Sequence, residues 1–425
     1  MEQINEWKST FFKFWLTQAL SLVGSGLASF SVIWWITEKT NSATSLATLS
    51  LAALLPGILL GPLTGVLVDQ FNRKWIMIIA DAVSAILALL LVLLFWTDSI
   101  QLWHIFVINI LRALAGAFQF PAVQASTSLM VPKEQLARIS GLNQALQGVN
   151  MIATPPLGAM LLSLLPIHAI LGIDVITALA AICLLFSILI PQPPAQLVKP
   201  LLKTIGQDLH AGFAFLKNWP ALINILVIAA LLNLVLIPAF TLVPILITQH
   251  FHGSVVQLGW INAAYGFGII AGGALLGIWG GFKRRIHTSL LGLAGLGVGC
   301  FIIGSTPHEA YWLAVVGMAL VGIMNALANG PFFAVLQSIV PNEMQGRVFT
   351  VLMSVSMAAA PIGLVLAGPF ADNFGVQFWY ILSALLCGAI IVWIVLSPEI
   401  LHLEEKQMNV VVEAPSELEK NVMQL

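Results

Sequence analysis

Two carboxylates and a guanidinium stand inside long apolar stretches of this chain: Asp81, Asp174 and Arg112. A charge in hydrocarbon is costly unless it is paired or hydrated, so each should face a protein interior or a water-filled cavity. The two carboxylates can take up and give back a proton, and the guanidinium can hold an anion within reach of that exchange. All three are candidates for proton coupling. Arg112 shares one helical face with Asn109, Gly116 and Gln119, which stand at −3, +4 and +7 from it. That face reads either as a coupling site or as a tie between helices through carbonyls and amides. Asp81 and Asp174 each lie a short way in from one end of their stretch, where a hydrated helix-capping role is the competing reading.

A second polar group consists of Asn143, Gln147, Asn150 and Thr154, which recur at i, i+4, i+7 and i+11. Such a stripe would be wasted against lipid and is expected to face inward. Amides and hydroxyls in this pattern bind solutes by hydrogen bonding. The histidines show no metal-ligand spacing, so no metal site is expected. Cys183, Cys300 and Cys387 all fall in apolar stretches and read as small core residues, not as a disulfide framework. There is no Walker-type Gly-Lys-Ser/Thr loop, so any work done by the chain is expected to draw on the proton-motive force, without a cofactor.

Long helices are needed to hold these groups. Of the 425 residues, 59% are hydrophobic and 8% charged, and the mean hydropathy is +0.97. A water-soluble core of this length could not hide so much apolar surface, which implies an all-α integral membrane protein. Twelve stretches are each long enough to cross about 30 Å of hydrocarbon as a helix. They are 11–36, 46–68, 75–96, 103–125, 139–165, 168–190, 221–247, 257–281, 287–305, 311–339, 348–371 and 377–397. With the N-terminus inside, fifteen of the seventeen Lys and Arg residues are cytoplasmic, Lys39 and Arg112 being the exceptions. Because basic residues near helix ends stay inside, both termini are expected in the cytoplasm and the chain in the bacterial cytoplasmic membrane. The net charge of −1 gives no reason to expect a nucleic-acid partner.

The spans fall into two sets. Val131-Pro132-x-Glu134-x-x-x-Arg138 recurs 209 residues later as Val340-Pro341-x-Glu343-x-x-x-Arg347. A parallel repeat of this size in an apolar chain points to a transporter whose halves move about a central site. The expected organisation is a six-helix bundle at 1–190, a cytoplasmic linker at 191–220, a second six-helix bundle at 221–397 and a cytoplasmic tail at 398–425. In the linker, Leu202, Ile205, Leu209, Phe213 and Leu216 follow a helical period, suggesting an amphipathic helix on the membrane surface.

Between the second and third spans runs Gly65-Val-Leu-Val-Asp69-Gln-Phe-Asn72-Arg73-Lys74. Asn72 tolerates the tight turn, Arg73 and Lys74 hold the loop inside, and Asp69 can meet a helix N-terminus or an Arg in one conformation and leave it in another. In twelve helices of two halves, this loop resembles the hallmark of the major facilitator superfamily. Asn72 stands where that family usually has Gly, and the matching loop Gly277 to Arg285 lacks the Asp. The resemblance implies the major facilitator fold and a conformational latch built from Gly65, Asp69, Asn72, Arg73 and Lys74, with Arg138 and Arg347.

The segment around Arg112 resembles the fourth-helix motif of proton-coupled drug exporters, and Thr154-Pro155-Pro156-Leu157-Gly158 resembles a reduced antiporter signature. The fold also implies that helices one, four, seven and ten line the centre. This adds Gln18, Ser21 and Ser25, Asn233 and Phe240, and Asn325, Asn329 and Phe332 as substrate-binding candidates beside Asn109, Gln119, Asn143, Gln147 and Asn150. Amides and rings on apolar walls suit a large amphipathic solute. Trp7-Lys8, Gln18-Ala19-x-Ser21-Leu22, Thr37 to Ala43, Ile173-Asp174 and Phe370-Ala371-Asp372 are similar to the macrolide-efflux branch. The expected function is export of an amphipathic, macrolide-type compound in exchange for protons, by a monomer and not by an enzyme. The alternatives are export of another amphipathic solute such as a siderophore, and a metabolite uptake carrier or uniporter.

Overall fold

The computed structural model describes residues 3–132, 135–192, 220–340 and 342–401. Its long helices are α1 (Gln3–Thr40), α2 (Ala43–Gln70), α3 (Arg73–Trp96), α4 (Leu102–Met130), α5 (Leu136–Leu164), α6 (Ile167–Phe186), α7 (Pro220–Thr241), α8 (Val255–Trp279), α9 (Arg285–Ser305), α10 (Tyr311–Ile339), α11 (Asn342–Phe374) and α12 (Val376–Leu396). No strand occurs among the described residues. Eleven of these helices are long and apolar enough to cross a membrane. The remaining one is α5, which has 29 residues and whose polar stripe lowers its apolarity without shortening it. The chain is an all-helical, multi-pass membrane protein.

Local chemistry explains the helix ends. The Asn72 side chain accepts from the backbone N–H of Lys74 at 3.0 Å and of Trp75 at 3.4 Å, capping α3. In the repeated element, Val131 (φ −111°, ψ 132°) and Val340 (φ −82°, ψ 122°) are both extended. A following proline disfavours the helical conformation at the residue before it. In both halves the helix before the motif therefore stops at the valine. The expected helix over 221–247 is instead broken: α7 ends at Thr241, and a short helix Val243–Ile245 and a π turn Leu246–His250 follow. Pro244 has no N–H to donate to the preceding turn.

The chain forms two compact units. The first comprises Met1–Thr204, Phe240–Ala263 and Leu364–Val376. Within it α1 packs on α5 and α6, α3 on α4 and α6, and α2 on α4. One apolar cluster, including Phe11, Phe14, Met77, Ala122 and Leu185, lies toward the end that carries Arg73. Another, including Ala28, Ile36, Leu91, Ile105 and Leu171, lies toward the opposite end. The polar residues of α1, α3, α4 and α6 fall between these two layers. There α1 and α6 touch closely: a Cβ at Gly24 would collide with the Thr177 hydroxyl and lie 3.2 Å from the Asp174 Cα.

The second unit comprises Ile205–Ala239, Ala264–Gly363 and Gln377–Leu425. Its α9 and α10 pack on each other. Here the Trp379 indole donates to the Val235 carbonyl at 3.0 Å and the Tyr380 hydroxyl to the Ala239 carbonyl at 2.7 Å, pinning α12 to α7. The segments 193–219 and 402–425, where an amphipathic helix and an acidic tail are expected, lie outside the described residues.

Candidate functional site

Two rungs of polar side chains join α1 to α4 in the first unit. In one, Arg112 Nη2 donates to Asp174 Oδ2 at 2.6 Å and to Ser25 Oγ at 3.3 Å, and Ser25 Oγ donates to Asp174 Oδ1 at 2.9 Å. The side chains of Arg112 and Asp174 are 16% and 3% exposed, so this is an interior ion pair. Burying either charge alone would be prohibitive, and the pair with its serine satisfies both. The Gly24 contact makes this possible, because it lets the neighbouring Ser25 reach α6.

In the other rung, Gln119 Nε2 donates to Asp81 Oδ1 at 2.7 Å and Ser21 Oγ donates to the same oxygen at 3.2 Å. Asp81 is 1% exposed. Its Oδ2 is buried and has no hydrogen-bond partner among the described residues. The rungs are parallel because Ser21 and Ser25 are one turn apart on α1, and Gln119 and Arg112 two turns apart on α4.

A cavity of about 680 Å³ opens beside these rungs, between α1, α4 and α5. Gln18, Ser21, Ser25, Gln119, Asn143 and Gln147 line it, together with Trp15, Phe120, Gln124, Thr127, Ser140 and Gln144. Among the described residues, none that lines it carries a charge. Its volume lies within the range of about 300–1,000 Å³ typical of small-molecule sites, and its mixture of rings and amides suits an amphipathic guest. A smaller cavity of about 130 Å³ is bordered by Asn109 and Arg112 on the other side. The Arg112–Asp174 pair thus stands in the wall between two chambers, with Ser25 facing the larger.

The remaining candidates are distributed as follows. Asn109 Nδ2 donates to the Leu49 carbonyl at 3.1 Å, tying α4 to α2. Asn143 accepts from the Trp15 indole at 3.1 Å. Asn150 accepts from the Thr154 hydroxyl at 2.8 Å, and both lie against Gly26 of α1. The far half of the α5 stripe is therefore used in packing. The face toward the cavity carries Ser140, Gln144 and Gln147, the same period taken from a different starting residue. Trp15, Ser140 and Gln144 were not among the sequence candidates. A repeat search that admitted serine would have found the last two.

In the second unit, Asn329 Nδ2 donates to the Asn325 carbonyl at 3.0 Å. Phe332 packs on the apolar cluster around Val335 and Val348, and Asn233 is half-buried on α7. Phe240 belongs to the first unit. Of the expected latch, Arg73 Nη1 donates to the Ala125 carbonyl at 2.9 Å, and Lys74 Nζ to the carbonyls of Phe186 at 2.9 Å and Ile188 at 2.8 Å. Both bind the start of α3 to neighbouring elements of its own unit. Arg138 is exposed. The side chains of Asp69 and Arg347, and the surroundings of Gly65, lie outside the described residues.

The chain has recognisable relatives. Residues 7–423 match the model of a family described as transmembrane secretion effector. Macrolide efflux protein A of Streptococcus pyogenes is 33% identical over 393 residues, covering 92% of this chain and 97% of the relative. The multidrug efflux pump Tap of Mycobacterium tuberculosis is 27% identical, covering 86% and 88%. Among solved structures, the nucleoside transporter NupG superposes with a TM-score of 0.65 at 12% identity, over 90% of this chain and 98% of that one. At that identity the likeness speaks for the fold alone.

Proposed function

This chain belongs to the transmembrane secretion effector family of the major facilitator superfamily and is an efflux transporter, and from that premise we propose that it exports amphipathic, macrolide-type compounds in exchange for protons. The observation that carries the reading is the cavity of about 680 Å³, lined among the described residues by amides, hydroxyls, rings and aliphatic groups without a charge. A buried carboxylate, Asp81, and a buried ion pair stand directly behind its wall.

The orientation proposed from the basic residues, with both termini in the cytoplasm of a bacterial cell, puts the Arg73 end inside. The cavity runs from Ser25 toward Phe11, and so toward the cytoplasm, where an intracellular drug is collected. The rings and aliphatic side chains take up its apolar surface, and Gln18, Gln119, Asn143 and Gln147 orient it by hydrogen bonds. Among the described residues no cation is bonded to Asp81, and a proton is the cargo that balances its charge. Arg112 and Asp174 hold each other in the wall between the two chambers and keep a fixed dipole beside the proton site. One charge moved through 100 mV supplies about 2.3 kcal/mol, which sustains a gradient of about fifty-fold.

The test is energised accumulation of a labelled macrolide in drug-sensitive bacterial cells expressing the chain, with and without a protonophore. Accumulation should fall when the chain is present in the membrane, and the protonophore should restore it. Export that persists with the gradient collapsed would replace proton exchange with facilitated movement. Unchanged accumulation would remove macrolides as substrates and direct the search to siderophores and other amphipathic solutes.

A further inference from the structure

Asp81 is not among the residues lining the large cavity; Ser21 and Gln119 are. With its carboxylate 1% exposed behind those two side chains, a solute of the cavity's size cannot touch it, whereas a proton can. A direct coupling between proton and solute passes through a group that touches both. Ser21 and Gln119 both meet this requirement, donating to Asp81 Oδ1 at 3.2 and 2.7 Å while lining the chamber. A hydroxyl donates and accepts at one oxygen and presents the same atom either way, so only the amide of Gln119 can turn a different atom to the cavity.

An amide has a donor end and an acceptor end. While Asp81 is ionised, its oxygen claims the N–H of Gln119 and leaves Oε1 as the end free for the cavity. A proton on Oδ1 can be accepted by the Ser21 hydroxyl at 3.2 Å only if that hydroxyl gives up its own donation, and directed at the Gln119 N–H it meets a second donor. A proton on Oδ2 would be a buried donor without an acceptor, since Oδ2 has no partner among the described residues, and such a group is penalised. Rotation of the terminal amide by half a turn relieves both conflicts. Oε1 then accepts from the protonated carboxyl, and the NH2 group turns to the cavity.

We infer that Gln119 is the transducer of the exchange: its amide reads the protonation of Asp81 and converts the cavity wall from hydrogen-bond acceptor to donor. In the acceptor state the wall holds solute groups that donate, hydroxyls and above all protonated amines; in the donor state it releases them. The inference rests on the proton-exchange reading above. Among the described residues, the charged group acting on Asp81 from a neighbouring helix is Asp174 on α6, itself paired with Arg112 of α4 at 2.6 Å; α1 contributes the neutral Ser21. On α3 itself, Arg73 and Lys74 are held at its first turn by carbonyls of other elements. None of these supplies a mobile countercharge that could replace the amide.

The experiment measures binding of labelled erythromycin to the full chain in nanodiscs at pH 6 and pH 8. The wild type should bind more weakly at pH 6, by up to about tenfold per pH unit for one exchanged proton. Asp81→Asn and Gln119→Leu should both bind with the same affinity at the two pH values. A pH-independent wild type would remove the proton-exchange reading and this inference together. If the wild type and Gln119→Leu show the same slope, or Asp81→Asn keeps it, the inference falls while export stands. Should Gln119→Leu not bind erythromycin, infrared difference spectra of the protein alone decide. A side-chain amide band that shifts between pH 8 and pH 6, and is missing from both the Gln119→Leu and Asp81→Asn difference spectra, supports the amide reversal; its absence from the wild type overturns it.

Discussion

Asp372 caps the amino end of α2 by accepting the backbone N–H of Ala43 at 2.6 Å, across 329 residues of sequence. The same carboxylate accepts from the Thr44 N–H and the Ser42 hydroxyl, each at 3.0 Å. A carboxylate at this position satisfies otherwise unpaired amides and complements the positive end of the helix. It also joins Leu364–Val376 to the first unit. Asp372→Ala should cost about 1 kcal/mol of stability, read as a lower midpoint of thermal unfolding in detergent, with Asp372→Asn falling in between. Equal midpoints for all three proteins would show that the cap carries no weight.

The Arg112–Asp174 pair is expected to be indispensable as a pair. Arg112→Gln or Asp174→Asn alone leaves one charge buried without its partner, at a cost of about 3–5 kcal/mol. The double substitution removes both charges and should recover most of the lost stability without recovering export. Thermal unfolding and cellular accumulation, measured on all four proteins, separate these effects. A double variant no more stable than either single one would show that the two charges are not coupled.

Asp81→Asn should leave the protein folded, since an Asn Oδ1 still accepts from Ser21 and Gln119 and loss of the buried charge offsets the penalty of an unpaired Nδ2 at the Oδ2 position. Loss of the exchanged proton should bring the sustained solute gradient from about fifty-fold toward unity. Accumulation assays on a variant shown to be in the membrane at wild-type level give the answer. Wild-type export by this variant would place the proton elsewhere.

Gly24 and Gly116 form a matched pair of tests. A methyl group at Gly24 would meet Thr177 and Asp174, whereas one at Gly116 meets nothing within 4 Å. Gly24→Ala should therefore cost about 1–3 kcal/mol as an overpacked contact and loosen the Ser25–Asp174 hydrogen bond, lowering both unfolding midpoint and export. Gly116→Ala should be silent in stability and should alter only which bulky solutes are exported, since Gly116 lines the large cavity. Equal midpoints for the two variants would argue against close packing of α1 on α6.

Much of this architecture depends on local features and was legible directly. Apolar length marks the helices, the valine before each proline marks where α4 and α10 stop, and Asn72 marks the start of α3. The α5 stripe was legible as a stripe, but its division was not. Period identifies a face; it cannot say that Gln147 meets a cavity while Asn150 meets α1. Similarly, Asp81, Arg112 and Asp174 stood out one by one because charges are rare in apolar segments. Their partners did not stand out.

The sequence by itself determined the membrane class, most of the helices, the repeated Val-Pro element and which carboxylates and guanidinium stand inside apolar stretches. Those properties follow from composition and from spacing along one helix. Tertiary structure alone decided that Arg112 pairs with Asp174, 62 residues away, that Gln119 and Ser21 share Asp81, and that Asp372 caps α2. Such pairings depend on how helices rotate and approach each other. Small residues such as Gly24 set that approach through contacts with residues far away in the chain.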